Sequence, residues 1–174
     1  MRTHTHRIAG VLALGLGLLL GAGQVSAAHQ AKTPVWITSK GKIVNLTVVA
    51  AYNNAASGFS FNGYNKGKMT ITVPLGATVH VTFSNASTLP HSLEFTAYTK
   101  TLPTGAVTAA FKGASSPNAA NGVDKGVTQK FSFTASKAGK FMMICAVPGH
   151  YAAGMWDNFV VSKSAKSGTI AIAK

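Results

Sequence analysis

Only three carboxylates stand in these 174 residues, against 16 lysines and arginines. No arginine follows Arg7, and Cys145 is the one cysteine. Each shortage excludes something. A single thiol cannot close an internal disulfide. Without arginine, the guanidinium forks that hold phosphates and bases best are missing, and the lysines lie scattered along the sequence, so nucleic acid is a poor partner. The longest apolar run, from Ile8 to about Ala22, is about 15 residues, short of the roughly 20 that a spanning helix needs. There is no internal repeat, no heptad pattern and no glycine-rich phosphate loop. The scarcity of acid has a further meaning. Acid unfolds proteins largely by protonating carboxylates whose native pKa is depressed, and a chain with three such groups has little stability to lose that way.

The chain opens with a basic head, Arg2 to Arg7, then the apolar run, then Gln24-Val25-Ser26-Ala27-Ala28. That order is a secretory signal, 1–27, with cleavage after Ala27 or one residue later. The competing reading is an uncleaved membrane anchor. The expected location is periplasmic or otherwise extracytoplasmic, and membrane-anchored if the signal stays. His4 and His6 would leave with the signal. Residues 28–174 remain, enough for one domain with its own core. They carry 14 lysines against 3 carboxylates, a net charge of +11. Such a charge fits an acidic protein partner or an anionic membrane surface, or simply keeps a monomer soluble.

A free thiol in an oxidising compartment is a hazard that a bound metal removes. Phe141-Met142-Met143-Ile144 reads as a buried strand ending at Cys145. His150 follows five residues later and Met155 five after that, before the apolar run Phe159 to Val161. Thiolate, imidazole and thioether on one loop are soft donors that select copper. Pro148-Gly149 forces a turn just before His150. A type 1 copper centre takes two histidines, a cysteine and a weak axial methionine. Leu89-Pro90-His91-Ser92-Leu93 supplies the missing histidine. The expected ligands of one copper ion, Cu(I)/Cu(II), are therefore His91, Cys145, His150 and Met155.

These residues resemble the ligands of the cupredoxins, the type 1 or blue copper proteins, and the wording is nearest the sulfocyanin and rusticyanin group. Phe61-Asn62-Gly63-Tyr64, the run Met69 to Val79, Leu89-Pro90-His91-Ser92 and Cys145-Ala146-Val147-Pro148-Gly149-His150 carry the resemblance. It covers roughly 59–95 and 129–162. It implies an all-β Greek-key sandwich holding one copper for single-electron transfer, an electron carrier in a respiratory chain rather than an enzyme. It implies as partner a c-type cytochrome or a terminal oxidase, and a hydrogen bond from Ser92 near the thiolate. In the family the edge of the histidine matching His150 reaches the surface within an apolar patch where partners dock. The four-residue spacer between Cys145 and His150 agrees with rusticyanin and departs from the shorter plastocyanin-type loop.

Strand signals support an all-β chain. They cover Val35 to Thr38, Ile43 to Ala51, Phe59 to Asn62, Met69 to Val73, Thr78 to Phe83, Leu93 to Tyr98, Phe131 to Phe133, Phe141 to Cys145, Phe159 to Val161 and, weakly, Thr169 to Ala173. Alternation turns His80 to solvent and gives Phe59 and Phe61 a shared buried face, with Ser60 and Asn62 on the other. Residues 99–128 read as a long loop with one helical turn near Val107 to Phe111. Asn45-Leu46-Thr47 and Asn85-Ala86-Ser87 match the glycosylation sequon by chance. Phe141, Met143 and Trp156 are candidates for keeping water from the site, or are ordinary core. Rival functions lack residues. A multicopper enzyme needs more histidines, and a binuclear copper domain needs two cysteines. Structural zinc leaves Met155 idle. A copper-binding chaperone without electron transfer would want exposed methionine or cysteine clusters.

Overall fold

Alternation sets the strand faces. In β4 (Thr78–Asn85), Val79, Val81 and Phe83 are buried while His80 is exposed, as the period of two requires. The computed structural model describes residues 34–101 and 107–174. The expected signal, its cleavage site and His29 lie outside them.

Among the described residues, nine strands make two sheets. The first has the order β1-β2-β4-β6, from β1 (Ile37–Lys40), β2 (Ile43–Ala50), β4 and β6 (Thr128–Thr134). The second has the order β5-β7-β8-β3-β9, from β3 (Met69–Pro74), β5 (Glu94–Ala97), β7 (Gly139–Ile144), β8 (Trp156–Ser162) and β9 (Thr169–Ile172). Two pairings are parallel, β2 with β4 and β3 with β8, and the rest are antiparallel. The result is an all-β sandwich, as the strand signals predict. The core between the sheets is aromatic. Phe95 meets Phe133 and Phe159 at centroid distances of 4.9 and 4.8 Å. Each such ring removed from water stabilises the fold by about 1.5–3 kcal/mol.

The structure departs from the sequence reading at two places. Phe59 to Asn62 is not a strand: Phe61 only forms isolated bridges to Ala50 and Tyr64. Ser60 and Asn62, expected on a solvent face, are buried. Asn62 is inside because its amide replaces ladder bonds, accepting from the Val49 N–H at 2.7 Å and donating to the Thr47 carbonyl at 3.0 Å. The helical turn expected near Val107 to Phe111 does not form. The described backbone of the 99–128 excursion runs along the outer edge of β5 instead, bridging Thr96 to Ala109, Glu94 to Ser115 and His91 to Val123. Pairing an open strand edge satisfies more backbone groups than one isolated turn would. Phe111 is pulled into the core by the same course, 4.7 Å from Phe141.

Two of the three carboxylates are buried, and burial raises both. Asp157 is pushed up to about 7 by burial, against the backbone N–H groups of Met69 and Gly67 that favour its charge. Glu94 is raised by burial, against a hydrogen bond from Ser115. A raised native pKa means that the folded state holds the proton more tightly than the unfolded chain does. The contribution of Asp157 is fully present below the unfolded carboxylate value and is lost as pH rises through about 7. Few carboxylates and raised carboxylates thus act together in favour of the fold in acid. Asp157→Asn removes this dependence. In denaturant melts, wild type should lose stability relative to the variant between pH 5 and pH 8. A stability difference that is flat across that range would refute it.

Candidate metal centre

Two loops at one end of the sandwich bring the donors together. The first leaves β4 and carries Leu89-Pro90-His91-Ser92. Asn85, the last residue of β4, is buried and pins it: its side-chain amide donates to the Leu89 and Val123 carbonyls, each at 2.7 Å. His91 is then clamped by paired backbone bonds with Val123, 3.2 and 2.8 Å long. Gly122 makes that approach possible. A Cβ there would sit 2.9 Å from the His91 backbone nitrogen.

The second loop joins β7 to β8, whose last facing pair is Ile144 with Trp156. It closes on itself. The Cys145 N–H donates to the Met155 carbonyl at 3.1 Å, and the Met155 N–H to the His150 carbonyl at 3.0 Å. Gly149, at φ 85°, makes the left-handed turn that returns His150 toward Cys145.

The imidazoles of His91 and His150 both point Nδ1 inward. Those atoms are 3.1 Å apart, and lie 3.7 and 3.4 Å from the Cys145 Sγ respectively. A point equidistant from all three atoms lies about 2 Å from each, the length of a metal–imidazole bond. This is the one cluster of three such side chains among the described residues. Met155 is fully buried in the same core cluster as Cys145.

The electrostatics favour neutral donors. His91 is lowered to about 4, mainly by burial and then by the nearby His150. Burial also lowers His150. Burial raises the Cys145 thiol, partly offset by hydrogen bonds from Ser92 and Val147. Neutral imidazoles are ready to bind, and a metal that binds the sulfur displaces the thiol proton. The donor set and its spacing fit a copper ion.

Ser92 links the loops. Its N–H donates to the Cys145 Sγ at 3.3 Å, and its Oγ accepts from the Ala146 N–H at 3.0 Å while lying 3.7 Å from the sulfur. Phe59 sets its ring edge-on to His150, 5.0 Å between centroids, and to His91 at 6.2 Å. Of the proposed water-excluding residues, Phe141 and Met143 share the core face with Cys145. Trp156 does not: it packs with Met142, Ile144 and Tyr151 on the other face of the sheet. His80 is exposed on β4 and stands apart from the cluster. Asn85 and Phe59 were legible only as a sequon and as part of a strand.

The model of the Sulfocyanin (SoxE) domain matches residues 30–171. The chain belongs to the sulfocyanin family. It is 31% identical over 134 residues to a sulfocyanin of Sulfolobus acidocaldarius, covering 73% of this chain and 67% of that one. It is 32% identical over 133 residues to a rusticyanin of Acidithiobacillus ferrooxidans, covering 72% and 80%. A crystal structure of rusticyanin superposes with a TM-score of 0.50 at 26% identity, covering 71% of this chain and 80% of that one. Reduced auracyanin from Roseiflexus castenholzii gives a TM-score of 0.51 at 20% identity, covering 68% and 96%, which speaks for the fold alone. Sulfocyanins are blue copper proteins of the cupredoxin class that bind one copper and transfer electrons.

In the copper-loaded protein, Ser92→Ala should lower the reduction potential. Hydrogen bonds to the thiolate reduce its donation and favour the reduced state, and one such bond is worth about 1 kcal/mol, or about 40 mV for one electron. Voltammetry at fixed pH measures this. An unchanged or higher potential would mean that the Oγ does not act on the sulfur.

Proposed function

We propose that this chain is an exported single-electron carrier, in which His91, Cys145, His150 and Met155 would hold one copper ion. The convergence of the His91 Nδ1, the His150 Nδ1 and the Cys145 Sγ within 3.7 Å of one another is the observation that carries this reading. Copper, when bound, supplies a one-electron couple. The chain's own residues decide how that couple behaves. His91, fully buried and clamped to Val123, and the self-closed ligand loop hold the donors where they are, so little has to move when the charge changes. Phe59, edge-on to both imidazoles, keeps water from the donors.

His150 is the donor that reaches the surface, being half-buried where His91 is fully buried. Around it Pro148, Gly149, Ala152 and Ala153 are exposed, and Leu89 on the neighbouring loop is 43% exposed. This small, apolar rim suits brief docking of a redox protein, with the electron passing through the His150 edge. An acidic c-type cytochrome or a terminal oxidase of a respiratory chain is the partner class we assign. No helix among the described residues is long and apolar enough to cross a membrane. Export, by a signal at 1–27 that is cleaved or retained as an anchor, rests on the sequence pattern alone.

The visible spectrum of the copper-loaded protein tests the reading: a type 1 site absorbs intensely through its thiolate. Cys145→Ser should abolish that band while circular dichroism still reports the β-sandwich. A band that survives the substitution would overturn the assignment. Met155→Leu should keep the band and raise the reduction potential, because removing a weak sulfur donor disfavours the oxidised state. A potential that stays or falls would mean that Met155 is not a ligand.

A further inference from the structure

The lysines look scattered along the sequence, but the fold gathers them. Four turns make the end of the sandwich opposite the ligand loop: β1 to β2 at 41–42, β3 to β4 at 75–77, β6 to β7 at 135–138 and β8 to β9 at 163–168. Backbone bonds weld them into one surface. The Thr78 N–H donates to the Lys42 carbonyl at 2.8 Å, the Leu75 N–H to the Ser162 carbonyl at 2.9 Å and the Gly76 N–H to the Ala135 carbonyl at 2.9 Å. The Gly168 N–H donates to the Ser39 Oγ at 3.1 Å. On or beside these turns stand Lys40, Lys42, Lys137, Lys140, Lys163 and Lys166, all exposed. Lys42, Lys163 and Lys166 share one groove of about 520 Å³ with Pro74 and Leu75.

No carboxylate reaches this end. Glu94 pairs with Ile144, Asp157 pairs with Met143, and Asp124 adjoins Val123, which bridges to His91. All three lie toward the metal centre. The basic cap is therefore uncompensated, and it faces away from the loop where electrons would leave. Strand β8 runs from the ligand loop to the cap, and its 7 residues span about 20 Å. A redox partner seated on the cap would be held away from the metal by that length.

We propose that the cap binds anionic phospholipid headgroups and holds the sandwich on a bilayer with the ligand loop facing outward. The chemistry favours lipid over a protein surface. The charges are all lysine, on flexible stems, spread over three of the four turns without one arginine fork to fix a partner's geometry. Compact, loosely placed ammonium groups suit headgroups that can move laterally to meet them. The attraction of lysine to an anionic bilayer decays within a Debye length of about 8 Å at physiological salt. Lipid binding does not depend on copper, whereas the use of the outward orientation rests on the electron-carrier reading above.

The test uses the copper-loaded full-length chain, sedimented with vesicles of phosphatidylcholine alone or mixed equally with phosphatidylglycerol. The gain from phosphatidylglycerol isolates the electrostatic part, because any apolar contribution of the first residues is common to both. A cap variant carries Lys42→Gln, Lys137→Gln, Lys163→Gln and Lys166→Gln. A control of equal charge carries Lys68→Gln, Lys125→Gln, Lys130→Gln and Lys174→Gln. The cap variant should lose at least about tenfold of the gain, and the control less than about twofold. Equal losses would mean that only net charge matters, and no gain in wild type would mean that there is no lipid site; either overturns the proposal. A cap variant that keeps the phosphatidylglycerol gain but loses binding to soluble polyglutamate would make the occupant an acidic protein and overturn it too. An unchanged thiolate band in both variants shows that neither has disturbed the fold.

Discussion

The bond from Ser92 to Cys145 is the constraint on which the site depends. The two residues are 53 positions apart, and their segments belong to different connections of the sandwich. Nothing local brings them together. Adjacent strand ladders deliver both loops to the same end, and Ser92 then fixes their spacing through its backbone N–H and its hydroxyl. The sulfur receives one donor from the loop that carries His91, so thiol and imidazole keep a set separation before any metal is present. The depressed imidazoles and the raised thiol are consequences of the same burial.

Much of this was legible in the residues and some was not, for identifiable reasons. Cys145, His150 and Met155 share one loop, so their spacing could be read directly. His91 could be read because a proline and two apolar runs frame it. Asn85 could not. Its role lies in reaching two carbonyls, one of them 38 residues away, and that contact leaves no local pattern. Phe59 alternates as a strand residue would, yet the chain turns there because Asn62 supplies ladder bonds from its side chain. Trp156 failed as a shield by parity alone, since a strand residue and its neighbour face opposite ways. The excursion at 99–128 had no apolar period because it borrows order from the edge of β5. The lysines, distant from one another in sequence, meet only where four turns meet.

Burial also gives the few acids a sign opposite to the usual one. Most proteins lose stability in acid because their carboxylates are paired and ionised. Here Asp157 lies within the sheet beside Met69, and Glu94 lies under the Ser115 bridge, both raised. The same placement keeps negative charge near the metal centre and out of the far end. One distribution of three residues thus shapes both the pH response of the fold and the polarity of its surface.

The ligand loop is closed by bonds among its own members, and it hangs from a single facing pair, Ile144 with Trp156. No rung of either ladder passes through it. A residue gained or lost between Ala146 and Gly154 would therefore leave the register of every strand untouched, but it would have to respect two outside ties, from the Ala146 N–H to the Ser92 Oγ at 3.0 Å and from the Lys66 N–H to the Gly154 carbonyl at 3.0 Å. Three of the four donors thus sit on a span with fixed ends, and the fourth is held by the frame itself.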